Sequence, residues 1–470
     1  MTTLIMVITT RKAILILGYT KWNKYSANAL LGAIEKEGLD ERVRITTSDL
    51  RELPNLIVSD LRAKYELIIV AISLMSTQLP QSLNLIKEIV GRVRRVGALV
   101  LVGGPHATGD PYGSLLSLGF DIAFLGESEK TFTSFLRALV EGEDPLQVQG
   151  IAFWDGEKVI LKNRPRPIDL SEYPPFSIKY GLLGPIEISR GCPFACKYCQ
   201  VSYMFGARFR HREVNSVIRY ALALIKRGLR DIRFISPNSF GYGSDGKSIN
   251  VEAMSQLVSE LQKVRELGGR IYLGTFPSEV RPDFVNEESV KLIKGRVDNK
   301  RITIGAQSGS DRVLKFIGRS HTVEDVLNAV RILRQYGFGV DVDYIFGLPG
   351  ESEEDTKETI AHMVKVASMG ARVHAHVFLP LPGTPFAFEA PGRITPNLRR
   401  ELFKLLGRGL VYGQWAKQEL LASEIDRLRR DYVIIVTPRR AEEALAKLSK
   451  SGCKARPISE VLSKVMRIKT

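Results

Sequence analysis

Three of the chain's four cysteines fall within eight residues, Cys192-Pro-Phe-Ala-Cys196-Lys-Tyr-Cys199, directly after the β-type run Ile186–Ser189. Thiolates at spacings of four and three can wrap a single loop around a cubane iron–sulfur cluster, which normally takes four ligands. Three protein ligands leave one iron open to a small molecule. A disulfide framework would spread its cysteines along the chain, so the run reads as a metal site in a reducing compartment. The alternative is a tetrahedral zinc site with His211 as fourth ligand, although a second Cys-x-x-Cys pair is missing. Cys453, alone in Ser-Gly-Cys-Lys, reads as a structural thiol.

At 470 residues the chain should hold about three domains. Apolar strand candidates Ala13–Gly18, Val43–Thr47, Leu67–Ser73, Ala98–Gly103 and Ile122–Gly126 alternate with helical patterns near Ser26–Glu37, Pro80–Gly91 and Glu129–Glu141. That order predicts an α/β fold beginning with a doubly wound, Rossmann-like domain over residues 1–150. Its ligand crevice should lie at the strand carboxyl ends. Residues 151–185 read as a hairpin turning at Asp155-Gly156, followed by a proline-rich linker. Residues 186–390 carry six further strand candidates separated by helices. Six units are too few for a closed eight-stranded barrel, so a partial (β/α)6 TIM-type barrel is expected, with its chemistry at the strand C-termini. Residues 391–470 read as a small basic α+β region whose last part, from Tyr432, suggests a βαβ-like tail.

The net charge is +16, and 18 Lys/Arg against 8 Asp/Glu place +10 of it after Pro391. A basic tail favours an anionic partner such as RNA or a phosphorylated metabolite, whereas a solvated Lys/Arg-rich surface explains the same composition. No apolar run is long enough to span a membrane. The first ten residues lack a basic n-region and a cleavage site. A cytoplasmic, monomeric protein is the expectation.

With Arg190-Gly191 before it and Tyr198 inside it, the cysteine run resembles the signature of the radical S-adenosylmethionine superfamily, Cys-x3-Cys-x-aromatic-Cys. The resemblance implies a [4Fe-4S] cluster on Cys192, Cys196 and Cys199, whose open iron chelates S-adenosylmethionine. It also implies reductive cleavage to a 5′-deoxyadenosyl radical, an electron donor such as ferredoxin or flavodoxin, and Tyr198 near the adenine. Gly347 and Glu351, in Tyr344-Ile-Phe-Gly-Leu-Pro-Gly-Glu351, match the family's glycine-rich nucleoside segment. Gln307 and Ser308, in Gln-Ser-Gly-Ser, resemble a segment of methylthiotransferases and cobalamin-dependent relatives, and imply contacts to the ribose or carboxylate. Glu279 and Arg281 suggest an acidic–basic clamp for the methionine zwitterion. Asn238 stands where many members carry Gly-Gly-Glu to hold the amino group, so this chain departs from that pattern. His374 and His376 alternate on the sixth strand and face one side, either as proton carriers or as satisfied interior imidazoles.

The first domain, with Gly103-Gly-Pro-His-Ala-Thr108 and Phe124-Leu-Gly-Glu-Ser-Glu129, resembles the cobalamin-binding domains of class B radical methylases and cyclases. Ser73, Gly103, Gly104, His106, Gly126 and Glu127 would then line the corrinoid site. The Asp-x-His-x-x-Gly motif that supplies a cobalt ligand is missing, so no histidine from it ligates cobalt. The functional expectation is cobalamin-dependent methylation or cyclisation of an unactivated carbon. Two alternatives stand beside it. One is methylthiotransferase-like modification of RNA or protein without cobalamin. The other is an RNA-binding protein with a structural metal site.

Overall fold

Strand β3, Leu67–Ser73, is buried at every position, as a strand covered by helices on both faces must be. The computed structural model describes residues 12–58, 60–451 and 455–466; Cys453 lies outside them. The chain divides into one unit of Met1–Ile168, Lys179–Leu182 and Asp431–Thr470, and another of Asp169–Ile178 and Leu183–Arg430.

In the first unit, β1 (Ala13–Tyr19), β2 (Val43–Asp49), β3, β4 (Leu99–Gly103) and β5 (Ile122–Phe124) pair in parallel in the order 2-1-3-4-5. This is a doubly wound order whose crevice opens where β1 meets β3. The expected hairpin forms as β6 (Ile151–Trp154) and β7 (Val159–Leu161). It adds to this sheet against β5 and is therefore part of the unit rather than a connector.

The C-terminal expectation needs correction. Residues 432–437 form no strand, and helices Pro438–Ser451 and Ile458–Met466 replace the βαβ tail. Ile458, Val461, Leu462 and Val465 join the apolar core of the first unit. The buried Asp110 carboxylate accepts hydrogen bonds from the amides of Gly113, Ile435 and Val436. Arg456 forms a two-pronged pair with the buried Asp121. A side chain that satisfies several backbone donors at once orders a segment lacking a ladder of its own.

The second unit is the barrel. Its parallel strands are β8 (Ile186–Glu187), β11 (Asp231–Ile235), β12 (Arg270–Tyr272), β13 (Arg301–Gln307), β14 (Gly339–Phe346), β15 (Arg372–Val377) and β16 (Val411–Tyr412), with β9 (Ser189–Arg190) and β10 (Arg210–His211) as a small antiparallel ribbon. They run in two sheets, β12-β11-β8 and β13-β14-β15-β16, and a bridge from Val280 to Ile304 flanks β13. The short β16 is a seventh barrel strand that six apolar runs did not reveal. Helices Pro396–Gly407 and Trp415–Arg430 belong to this unit, not to a separate tail. Several tail arginines are paired within it, among them Arg399 with Glu419 and Arg427 with Glu424.

Ile302, Ile304, Val340, Val342, Val373 and Ala375 pack outward into the helical layer. Alternate residues face the other way: Thr303, Asp341, Asp343, His374 and His376. A closed barrel fills that space with Val, Ile and Leu. Here the lining is polar, and the inner face is built to hold something other than hydrocarbon. Among the described residues, no helix is long and apolar enough to cross a membrane.

Candidate active site

The cysteine loop begins where β9 ends. Gly191 has φ 78°, and a Cβ there would stand 2.1 Å from the Arg208 carbonyl oxygen, so only glycine allows the turn. Several bonds then fix the loop. The Ser202 hydroxyl donates to the Cys192 carbonyl at 2.7 Å and accepts from the Ala195 amide. The Cys199 amide closes a turn on the Cys196 carbonyl, and the Lys197 amide reaches the Ile317 carbonyl at 2.9 Å. Cys196 is buried; Cys192 and Cys199 are half-buried. Burial raises the Cys192 thiol and pushes that of Cys199 up to about 12. Such thiols become ligands only when a metal displaces their protons.

His211 does not supply a fourth ligand. Its Nδ1 meets the Ser189 hydroxyl at 2.8 Å and its Nε2 the Ser244 carbonyl at 2.9 Å, so both ring nitrogens are engaged. This counts against the zinc alternative and favours a three-thiol donor set, which suits a cubane with one open iron.

Around this loop, donors are left over. Asn238 Nδ2, Arg281 Nη1 and Arg319 Nε are sealed from solvent without a hydrogen-bond partner among the described residues. Asn238 Oδ1 accepts from the Arg281 amide, and the Arg281 guanidinium lies 3.5 Å above the Phe194 ring. Arg319 directs Nη1 at Cys196 Sγ, 3.8 Å away, and Nη2 at the Gly305 carbonyl at 2.6 Å. Burial opposes its charge, but Tyr198 and Cys196 more than offset this and keep the guanidinium charged. Gln307 has φ 71°, at a register shift beside Gly305, whose missing Cβ makes room for the Gln307 amide. A non-glycine residue held there is strained, as is common at ligand clamps. Three stranded donors call for a ligand rich in acceptors, which the carboxylate and ribose of S-adenosylmethionine supply.

Some expected contacts are arranged otherwise. Glu279 and Arg281 do not form a clamp: Arg281 pairs with Asp283 at 3.0 Å, while burial and Asp343 push the Glu279 carboxyl up to about 7. Ser308 is fully buried against Thr359, and Ser310 donates to Asp355, so this run is a turn locked onto helix Glu353–Ser368. Gln307 alone of that segment remains available. Gly347, φ 67°, donates its amide to Glu351 at 2.8 Å, and a Cβ there would meet the Arg393 backbone. Glu351 therefore braces the glycine turn from within. Tyr198 packs with Leu314, Leu348 and Phe378. A surface cleft of about 450 Å3 near Arg312 and Glu354 holds an internally paired Arg312–Asp355 couple and no part of the cysteine site.

In the first unit, Ser73, Gly103 and Gly126 sit at or just beyond strand ends, as expected. Gly104 has φ 88°, and a Cβ there would lie 2.6 Å from Ser73 Oγ, itself buried without a partner. The Gly126 amide donates to Thr108, and Glu127 accepts from the Ile168 amide. His106 is wholly buried rather than presented to the crevice: Nδ1 meets Ser76 at 3.0 Å and Nε2 has no partner. Gly104 thus packs its backbone against Ser73 and Leu74.

Sequence reasoning missed Arg319 and Asp343. Arg319 gives no signal, lying in an ordinary loop. Asp343 does: Asp341 and Asp343 recur at period two in an otherwise apolar strand, which marks an inward polar face.

Comparison with known proteins agrees with this geometry. The radical SAM superfamily model matches residues 186–363, and the B12 binding domain model matches residues 11–136. The chain thus carries a radical SAM domain and a B12-binding domain. It is 25% identical to the uncharacterized protein MJ1620 of Methanocaldococcus jannaschii over 76% of this chain and 75% of the relative. It is 31% identical to a tRNA-2-methylthio-N(6)-dimethylallyladenosine synthase of Wolbachia pipientis over 46% of this chain and 48% of that protein. The fold is shared with TsrM of Kitasatospora setae, a radical S-adenosylmethionine methyltransferase solved with cobalamin and a [4Fe-4S] cluster. The TM-score is 0.65 at 18% identity, over 81% of this chain and 78% of TsrM. The two matched domains imply a [4Fe-4S] cluster, S-adenosylmethionine and cobalamin as cofactors.

Proposed function

We propose that this enzyme transfers a methyl group to, or closes a ring at, an unactivated carbon of an organic substrate. The carrying observation is the pairing, in one chain, of a three-cysteine loop ringed by stranded donors with a B12-binding domain. Bound together, the cofactors supply a 5′-deoxyadenosyl radical and a methyl carrier. Cys192, Cys196 and Cys199 would hold the cluster. Asn238, Arg281 and Gln307 would orient S-adenosylmethionine through donors that no protein group uses. Tyr198 and the Gly347 turn would close over the nucleoside, and Ser73, Gly103 and Gly104 would seat the corrinoid tail. An external one-electron donor of the ferredoxin or flavodoxin type would reduce the cluster.

Methylthiotransferase chemistry is the less favoured reading. The chain has no cysteine before Cys192 to hold the second cluster that such enzymes carry in their first domain, and Ser308 of the shared segment is structural.

The test is anaerobic reconstitution with cobalamin, desalting, and assay for reductive 5′-deoxyadenosine formation. Retained corrinoid absorption, together with nucleoside formation abolished by Cys196→Ala, is expected. Cluster absorption without retained corrinoid would overturn the cobalamin part, and no nucleoside under any reductant would overturn the whole.

A further inference from the structure

On the inner face of the barrel, Asp343 of β14 stands in register beside His374 of β15, and His376 follows two residues on. His374 Nδ1 lies 2.9 Å from Asp343 Oδ1 and 3.1 Å from His376 Nε2, and each of the three side chains offers one ligand atom within 4.8 Å of the others. One imidazole nitrogen offers either a proton or a lone pair. If Nδ1 of His374 is protonated, it can make one good hydrogen bond and faces two acceptors. If it is not, its lone pair meets a carboxylate oxygen with nothing between them. Neutral tautomers leave one of the two contacts unsatisfied.

We propose that Asp343, His374 and His376 form a second metal site, separate from the cysteine loop, for one divalent ion of the zinc or iron(II) type. Metal–ligand bonds of about 2.0–2.1 Å put adjacent donors roughly 3 Å apart, close to the two short separations found. Two imidazoles and one carboxylate on one face leave the remaining positions open toward the space inside the barrel, the arrangement of a reactive rather than a structural site.

The surroundings fit a cation. Glu279 is a second buried carboxyl that feels the charges of Asp343 and His374. The arginines on the same face, Arg301 and Arg372, are committed to Asp341. Tyr412 stacks on the His374 ring at 4.4 Å with the planes 2° apart and fixes its orientation. Gln418 stands 3.3 Å from His376 Nδ1, and its oxygen takes the Val377 amide. Coordination through Nε2 moves the imidazole proton to Nδ1. A turn of the Gln418 amide then offers the second lone pair of its oxygen as acceptor, the outer contact that ligating histidines require.

The test is calorimetric titration of zinc chloride into cluster-loaded, desalted protein, with iron and zinc counted afterwards by elemental analysis. The cluster occupies the cysteines, so they do not compete. One zinc per chain beyond the cluster iron is expected, with affinity weakened at least about tenfold in His374→Ala and in the near-isosteric Asp343→Asn. Circular dichroism and cluster absorption report whether each variant folds. If His374→Ala does not, Asp343→Asn decides. No zinc uptake, or equal affinity in wild type and Asp343→Asn, overturns the site and leaves a hydrogen-bonded lining.

Discussion

Arg319 places a guanidinium against a cluster thiolate with no carboxylate pairing it among the described residues. Changing Arg319→Gln removes that positive charge while keeping a donor. Added electron density on the cluster is then less stabilised, so the reduction potential must fall. At 3.8 Å from Cys196 Sγ, a unit charge at an effective dielectric constant of 20 interacts with about 4 kcal/mol. The electron is spread over a cluster extending away from that sulfur, which reduces the effect to about 2 kcal/mol, or about 85 mV for a one-electron couple. A redox titration of the reconstituted protein, followed by electron paramagnetic resonance, reads this directly. Arg319→Lys keeps the charge and should recover most of the potential, although it also loses the bond to Gly305. If the role were only to hold the Gly305 carbonyl, lysine and glutamine would lower iron content alike and leave the midpoint in place. A midpoint unchanged to within about 20 mV in a fully loaded Arg319→Gln protein, far below the shift from Coulomb's law, would refute the electrostatic role.

Two further predictions concern the loops beside the site. Asp355 is almost enclosed and accepts from the Ser310 and Ser352 hydroxyls, the Ser352 amide and Arg312. Asp355→Ala should therefore cost about 3 kcal/mol in chemical denaturation. Arg312 holds this carboxyl well below the usual range. Its contribution should be present above about pH 4 and fade as pH falls further; an unchanged acid limb in Asp355→Ala would count against it. Glu351 shows the opposite sign, because burial pushes its carboxyl up to about 7 from 4.5. Between those values the folded state keeps a proton that the unfolded state has lost, so stability falls as pH rises through that window. Glu351→Gln should melt progressively higher than wild type from pH 5 to 8. A melting difference that does not vary with pH would show that the carboxyl is not buried.

The sequence by itself marked most of the regular elements and the three-cysteine loop. The apolar run Leu67–Ser73, of strand length and β-branched, was legible as a strand covered on both faces, and helix Glu129–Glu141 was legible from its amphipathic period. The loop of Cys192, Cys196 and Cys199 was legible because a three-thiol donor set on one short loop depends on local spacing alone. Tertiary structure decided everything that rests on distant partners. Residues 391–470 read as one basic C-terminal region, yet 391–430 belong to the second unit, and Ile435, Val436 and Arg456 are tied into the first by Asp110 and Asp121, more than 300 positions earlier. Ser308 looked like a ligand contact until Thr359 of helix Glu353–Ser368 claimed it. Arg319 comes to Cys196 from 123 residues away. Asp343 meets His374 only because β14 and β15 pair in that register. Local spacing and periodicity fix which element forms. Which side chains converge depends on strand order and register, and those follow from packing the whole core at once.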